Sequence, residues 1–206
     1  MDRITFLWGF DPSETGRPSP DPRRWANVLV ENVDMLVPSD VNFELWTRRT
    51  EFPDLDVVWK KLDSMANWRV KLNLARLLVL YHWGGAFFSI DSAPGSSVRT
   101  MLATNRVGLV ALGGRPWHHR GTPDSPSIWE HAVYSPTTRH PFFASCISTC
   151  LARIKLLLTE KAQNRIDDAS DVDWCSGSHV FASMYARFTN KEQIALFTPH
   201  RFVNRQ

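Results

Sequence analysis

Residues Lys71 to Ser92 read KLNLARLLVLYHWGGAFFSIDS, and they join a helix, a helix stop, a strand and a carboxylate in one run. From Val70 to Trp83 nearly every position is Leu, Val, Ala, Tyr or Trp, so the helix is expected to be buried around most of its circumference. Asn73 and Arg76 break that pattern. Three residues apart, they share one face, and an amide and a guanidinium leaving a dry helix together need polar company. Gly84-Gly85 ends the helix, because glycine takes the left-handed backbone without a Cβ penalty. Ala86 to Ile90 then reads as a short buried strand, with Asp91 at its carboxyl end. In open α/β sheets ligands bind at that edge, so Asp91 is either a metal or sugar ligand or a turn residue capping the strand.

The same stretch resembles the segment that defines a family of DXD-motif glycosyltransferases of the sugar-binding-region type. The family takes in yeast-type initiating mannosyltransferases, capsule-synthesis enzymes and, more distantly, glucosylating bacterial toxins and small virus-encoded glycosyltransferases. Its pattern is an (S)D-x-x-R helix running into L-Y-x-x-G-G-hydrophobic-Y-hydrophobic-D-x-D. Arg76, Leu80, Tyr81, Gly84, Gly85, Phe88 and Asp91 match at family spacing. Asn73 replaces the family's helix Asp and Ser89 its first motif Asp, which leaves S-I-D. The resemblance implies a GT-A fold, a Rossmann-like mixed α/β sheet flanked by helices, spanning 1–206 as one domain.

Composition agrees with one globular domain: 206 residues, 43% hydrophobic and 22% charged, are enough for a sizeable core. A formal net charge of +3, with Lys and Arg scattered rather than striped, argues against a nucleic-acid partner. No run approaches the length of about 18 apolar residues that a membrane span needs. The N-terminal residues resemble neither signal peptide nor anchor, so a soluble, cytoplasmic chain is expected, virus-encoded or part of a longer protein. Cys146, Cys150 and Cys175 lack metal spacing and read as reduced and structural.

Outward from the central stretch, Ile4 to Trp8 reads as the first strand, ending at Gly9 before a Pro-rich loop over 11–24. Trp8-Gly9 reads by itself as a strand-end aromatic and a turn glycine; in the resembled family this position receives the nucleotide base. Trp25 to Leu36 has helical spacing, Asn42 to Thr47 reads as a strand and Pro53 to Ser64 as a helix, so a right-handed βαβ unit opens the chain. Beyond Asp91, a short helix from Val98, strands at Val107–Leu112 and Trp129–Ser135, and a long helix from Pro141 to Asn164 are expected. Trp117, His118, His119 and Arg120 lie in a long loop, and adjacent histidines point apart, so they make a poor zinc site. Arg165 to Asp173 reads as a solvated acidic loop.

Three later stretches carry chemistry. Ile128 to Ser135 followed by His140-Pro141 matches the family's N-A-hydrophobic-hydrophobic-x-S and His-Pro, with Glu130 or His131 at the Asn position; an ionised Glu130 suits a general base, for which Asp124, Asp173 and His179 are eligible as well. Trp174 to Val180 resembles the family's T-G-P helix opening, where Ser176, Gly177 and His179 would offer N–H groups to a donor phosphate or sugar oxygen. An ordinary Ser N-cap reads equally well. The strand at Gln193–Phe197 precedes His200 and Arg201, where enzymes of this architecture take a further metal or diphosphate ligand.

Together the resemblance implies a glycosyltransferase with a nucleotide-sugar donor and a glycan or glycoprotein acceptor. Asp91, Arg76 and Glu130 form its catalytic set. Trp8, Gly9, Asn73, Arg76, Ser89, Ser176, Gly177 and His179 form its donor set. Asp91 and His200 hold Mn2+ or Mg2+, the cations that oxygen ligands and phosphate favour. The rival reading is a non-catalytic nucleotide-sugar or carbohydrate-binding domain with a decayed motif, for which Ser89 and Asn73 speak.

Overall fold

The computed structural model describes residues 3–7, 33–36, 41–48, 50–64, 67–89, 95, 98–112, 126–160, 166 and 168–198, with 33–36 and 64 given by their main chain only. Runs of 4–9 residues form six strands among the described residues: β1 (Ile4–Leu7), β2 (Val33–Leu36), β3 (Gly85–Phe88), β4 (Val107–Leu112), β5 (Ser127–Ser135) and β6 (Ile194–Phe197). They form one sheet in the order β2-β1-β3-β5-β4-β6. β1 pairs in parallel with β2 and β3, and β4 with β6, whereas β5 runs antiparallel to both its neighbours. The helices are α1 (Phe43–Arg48), α2 (Leu55–Ser64), α3 (Trp68–Trp83), α4 (Val98–Leu102), α5 (Pro141–Glu160), α6 (Ala169–Ser176) and α7 (Ser178–Arg187). The mixed sheet flanked by helices is the α/β architecture that the central stretch implies.

The strand alternation divides the core in two. Phe87, Leu109 and Val133 face a large apolar layer formed with α2, α3, α5, α6 and α7. Ala86, Phe88, Val110, Ala132 and Tyr134 face the other way, onto Val98, Met101 and Leu102 of α4. Helix α3 is buried on nearly all sides, as its composition requires, including Asn73 and Arg76. By length and hydropathy α5 is the one described helix able to cross a membrane. Here it packs on α3, α6 and α7, with Phe142, Phe143, Ile147 and Ile154 fully buried, which is the place of a core helix. Cys146, Cys150 and Cys175 are free and buried, and burial pushes their thiols up, that of Cys175 to about 12.

Gly84-Gly85 is needed on two counts. Both residues have positive φ, 70° and 79°, and a Cβ on Gly85 would stand 2.5 Å from the Arg3 carbonyl oxygen. That carbonyl accepts from the Ala86 N–H at 2.7 Å, so the turn that ends α3 also starts the β1–β3 pairing. Tyr81, just before it, is 5% exposed and donates to Glu51. Burial and that carboxylate push its phenol up to about 12.

Three expectations are corrected. Asn42 to Thr47 is not a strand: Phe43, Trp46 and Thr47 fall at helical spacing, and the Asn42 side chain accepts the Leu45 N–H at 2.9 Å as a cap, so 43–48 is helical. The partner of β1 is instead Val33–Leu36, the end of the stretch expected to be helical, while 25–32 lies outside the described residues. The acidic stretch before Trp174 is not all loop, because Asp168 caps the Ser170 N–H at 2.7 Å and helix α6 starts at Ala169.

Two predictions follow from these contacts. Gly85→Ala is expected to cost about 2–4 kcal/mol, from left-handed strain plus a main-chain clash that cannot relax, read by denaturant unfolding. At the start of α5, the His140 Nδ1 accepts the Phe142 N–H at 3.2 Å, and burial holds the imidazole below the ordinary histidine range. Burial likewise lowers His82, against an opposing effect of Glu51. A depressed histidine contributes stability that is present above its unfolded value, about 6.5, and lost as pH falls through the folded one. The melting temperature is therefore expected to fall on acidification below about pH 6.5, and His140→Asn, which keeps a cap acceptor without a titrating ring, to flatten part of that fall.

Candidate active site

The expected site residues divide by location. Trp8, Gly9, Asp91 and His200 lie outside the described residues, as do Arg201, His118 and His119. Asn73, Arg76, Glu130, Ser176 and Gly177 are described, and the fold brings them together from α3, β5 and the α6–α7 junction.

Arg76 is the centre of the group. Its guanidinium is 3% exposed; one terminal nitrogen donates to the Glu130 main-chain oxygen at 2.9 Å and the other to the Glu130 carboxylate at 3.2 Å. The second nitrogen also reaches the Ser176 carbonyl at 3.5 Å. The rings of Phe87 and Phe181 lie 5.5 and 5.2 Å from the guanidinium carbon, within cation–π range. Beside it the Asn73 amide donates to the Ser176 hydroxyl at 3.1 Å, and that hydroxyl donates to the Val172 carbonyl at 2.9 Å. The polar company that the sequence demanded for Asn73 and Arg76 is therefore the β5 carboxylate and the end of α6.

Glu130 reaches this face because β5 bulges. Leu109 stands opposite Val133 but the next residue, Val110, stands opposite Trp129, so Glu130 to Ala132 face no partner on β4. Such an irregularity re-aims side chains. Across the other edge of β5 the ladder continues past β3, with the Ser89 N–H donating to the His131 carbonyl at 2.9 Å. Ser89 thus sits at the carboxyl end of β3 beside the Glu130–His131 backbone, and Asp91 follows two residues later in the chain. Between Glu130 and His131, the two candidates for the resembled family's Asn position, Glu130 is the one bound to Arg76.

Gly177 sits where α6 passes directly into α7. A Cβ there would meet the Asp173 carboxylate at 2.6 Å, the Asp173 Cα at 2.8 Å and the Glu130 carboxylate at 2.8 Å, so the glycine serves close approach. The N–H groups at this junction are not open: Gly177 donates to the Asp173 and Val172 carbonyls. The Ser178 N–H and hydroxyl donate to the Asp173 carboxylate at 2.8 and 2.6 Å. The anion held at the start of α7 is the chain's own Asp173. His179, in the first turn of α7, is 4% exposed. Arg153 of α5 fixes the junction from behind through the Trp174 carbonyl and the Ser183 hydroxyl, both at 2.7 Å.

Sequence reasoning missed the aromatic pair around Arg76 and the capping role of Asp173. Phe181 gives no local signal, since its partner is about a hundred residues away. Asp173 did give one: an acidic residue five positions before Ser178, with Gly177 unable to cap by its own side chain. Among the described residues no three His, Cys, Asp or Glu side chains come together as a metal cluster.

No family model matches this sequence, and no curated protein matches it. Among solved structures it is similar to the PaToxG glycosyltransferase, with a TM-score of 0.55 and 11% identity over 91% of this chain and 69% of that one. A structure described as a transferase mutant is also matched, with a TM-score of 0.42 and 11% identity over 99% of this chain and 95% of that one.

The Arg76–Glu130 pair is asymmetric, which stability measurements can read. Glu130→Ala leaves a buried cation without its carboxylate and is expected to cost about 2–4 kcal/mol. Arg76→Met fills an apolar sandwich and leaves Glu130, whose side chain is 22% exposed, able to turn to water, so a loss below about 1.5 kcal/mol is expected in the same urea titration. What the comparison with PaToxG adds to this geometry is the fold: the chain has the mixed α/β fold of a glycosyltransferase structure.

Proposed function

We propose that this chain is a glycosyltransferase that moves a sugar from a nucleotide-diphosphate donor to a hydroxyl of a glycan or glycoprotein acceptor. The observation that carries the reading is the Glu130 carboxylate, gripped by a buried Arg76 on a strand whose next residue, His131, accepts the Ser89 N–H at the carboxyl end of β3. That is the sheet edge where α/β folds bind ligands. The fold shared with PaToxG supports it.

In this reading Glu130 takes the proton of the acceptor hydroxyl as its oxygen attacks the anomeric carbon, while the bond from that carbon to the diphosphate oxygen breaks. Trp8 and Gly9 receive the base and Ser89 meets the donor, while Asn73, Ser176 and Gly177, whose polar groups are bound within the chain, and the buried His179 back the site. The donor set around S-I-D is oxygen-rich, which suits a hard divalent cation. Asp91 and His200 would hold Mn2+ or Mg2+, and the bound cation supplies positive charge against the departing nucleotide diphosphate. Ser89, in place of a motif carboxylate, favours the second reading, a nucleotide-sugar-binding domain without turnover.

A thermal-shift panel of nucleoside diphosphates and their sugars, with and without Mn2+, together with a turnover assay, tests both. At a hundredfold excess over the dissociation constant, binding adds about 2.7 kcal/mol, hence a rise of about 5–10 °C in a chain of this size. The transferase reading expects that rise for one nucleotide only when metal is present, with slow Mn2+-dependent release of sugar. The same rise without any transfer or hydrolysis supports the binding domain, and no stabilisation by any donor with metal present rejects both.

A further inference from the structure

We infer that Arg76 is a positioning residue that acts through Glu130 and does not itself touch the donor, an inference that rests on the transferase reading above. A cation in a helix that faces a sheet edge invites assignment to the diphosphate, and the geometry argues against it. The guanidinium is 3% exposed, and its terminal nitrogens are taken by two atoms of one residue, the main-chain oxygen and the carboxylate of Glu130. Gripping both ends of one residue fixes its backbone and its side chain together, as a single hydrogen bond would not. The backbone so held is the bulge of β5, which no β4 partner holds. Phe87 and Phe181 flank the guanidinium, so it cannot swing toward a ligand without leaving both rings.

The carboxylate is left poised by this grip. Its bond to Arg76 uses Oε2, and the Glu130 side chain is 22% exposed against 3% for Arg76, so Glu130 is the more accessible member of the pair. A diphosphate could reach Arg76 only by displacing Glu130. Nor is the placement tuned for stability: the Arg76 Nε is buried without a hydrogen-bond partner among the described residues, and a buried ion pair is often matched or bettered by apolar side chains of similar volume. The arrangement orients a carboxylate at a cost that packing alone would not require.

The test uses the full chain with Mn2+ and a panel of UDP-, GDP- and ADP-sugars. Turnover is measured for wild type, Arg76→Met, Arg76→Lys, Glu130→Gln and the double variant Arg76→Met/Glu130→Gln, and the dissociation constant of the matching nucleoside diphosphate by calorimetry. A positioning role expects kcat to fall by about 100-fold or more in Arg76→Met and in Glu130→Gln, and no further in the double variant, because the two residues act as one unit. Nucleoside diphosphate affinity stays within about threefold throughout, and Arg76→Lys recovers part of kcat. Direct contact with the donor gives the opposite pattern: Arg76→Met weakens the nucleoside diphosphate by at least about tenfold, and Glu130→Gln, by releasing the guanidinium, tightens it. Either result overturns the inference. Should Arg76→Met not fold, Glu130→Gln and Phe181→Leu decide it, since loosening the aromatic sandwich must lower kcat and spare nucleotide affinity. A wild-type chain that binds and turns over no donor instead rejects the transferase reading, and the inference with it.

Discussion

A guanidinium that is 97% shielded from water needs every neighbour in place, and around Arg76 those neighbours come from four parts of the chain. Helix α3 carries it, β5 supplies both oxygen acceptors, β3 and α7 supply the flanking rings, and the end of α6 supplies a weaker carbonyl. Burying a charge without partners costs several kcal/mol, so the cation penalises any arrangement in which β5 lacks its bulge or α7 leaves its junction with α6. A polar residue in an apolar helix thereby specifies how the sheet, α3 and the α6–α7 pair meet. The candidate site lies at that meeting point because its residues are the partners of this one charge.

The glycine pair at 84–85 enforces the other half of the geometry. Two successive residues with positive φ reverse the chain within the space of a peptide unit, and contact with the Arg3 carbonyl sets the start of β3 directly against β1. Residues 85–88 then form β3 and deliver Ser89 to its carboxyl end. The spacing from Arg76 to Ser89 is thus about two helical turns down and one strand back.

This part of the chain was legible because its signals are local and redundant. A helix of apolar residues, a double glycine and four strand residues admit few alternatives, and Asn73 and Arg76 were identifiable as polar exceptions that needed company, although nothing local named Ser176 or Glu130 as that company. The opening of the chain was read less well for a physical reason. Val33-Asp34-Met35-Leu36 has no period of its own, and its strand character comes from pairing with β1, a tertiary effect. Asn42 to Thr47 carries β-formers such as Phe and Trp, yet the Asn42 cap and the packing of Phe43 against Trp59 at 5.0 Å outweigh that propensity. The Ser-Gly-Ser turn was rightly placed at a helix start, but that its N–H groups already hold Asp173 depends on α6 being helical, which the run of aspartates concealed.

The charges near the edge of β3 follow from the same contacts. Arg76 and Glu130 cancel one another within one ion pair, and Asp173 is held by Ser178, a neutral partner. Among these described groups no cation is left over for a diphosphate. Two negative charges brought to this edge would meet a neutral pair and a nearby carboxylate, and at an effective dielectric of about 20 each like-charge contact at about 4 Å is unfavourable by about 4 kcal/mol. Positive charge must therefore come with the ligand or from elsewhere in the chain. The sequence provides Arg115 and Arg120 in the 113–127 loop and Arg201 next to His200. On the proposed reading, a divalent cation at Asp91 would answer the same need with a single ligand carboxylate. On the proposed transferase reading, a demand for a metal would thus arise from the pairing of Arg76 with Glu130, which takes out of play an arginine that the central helix puts near the edge.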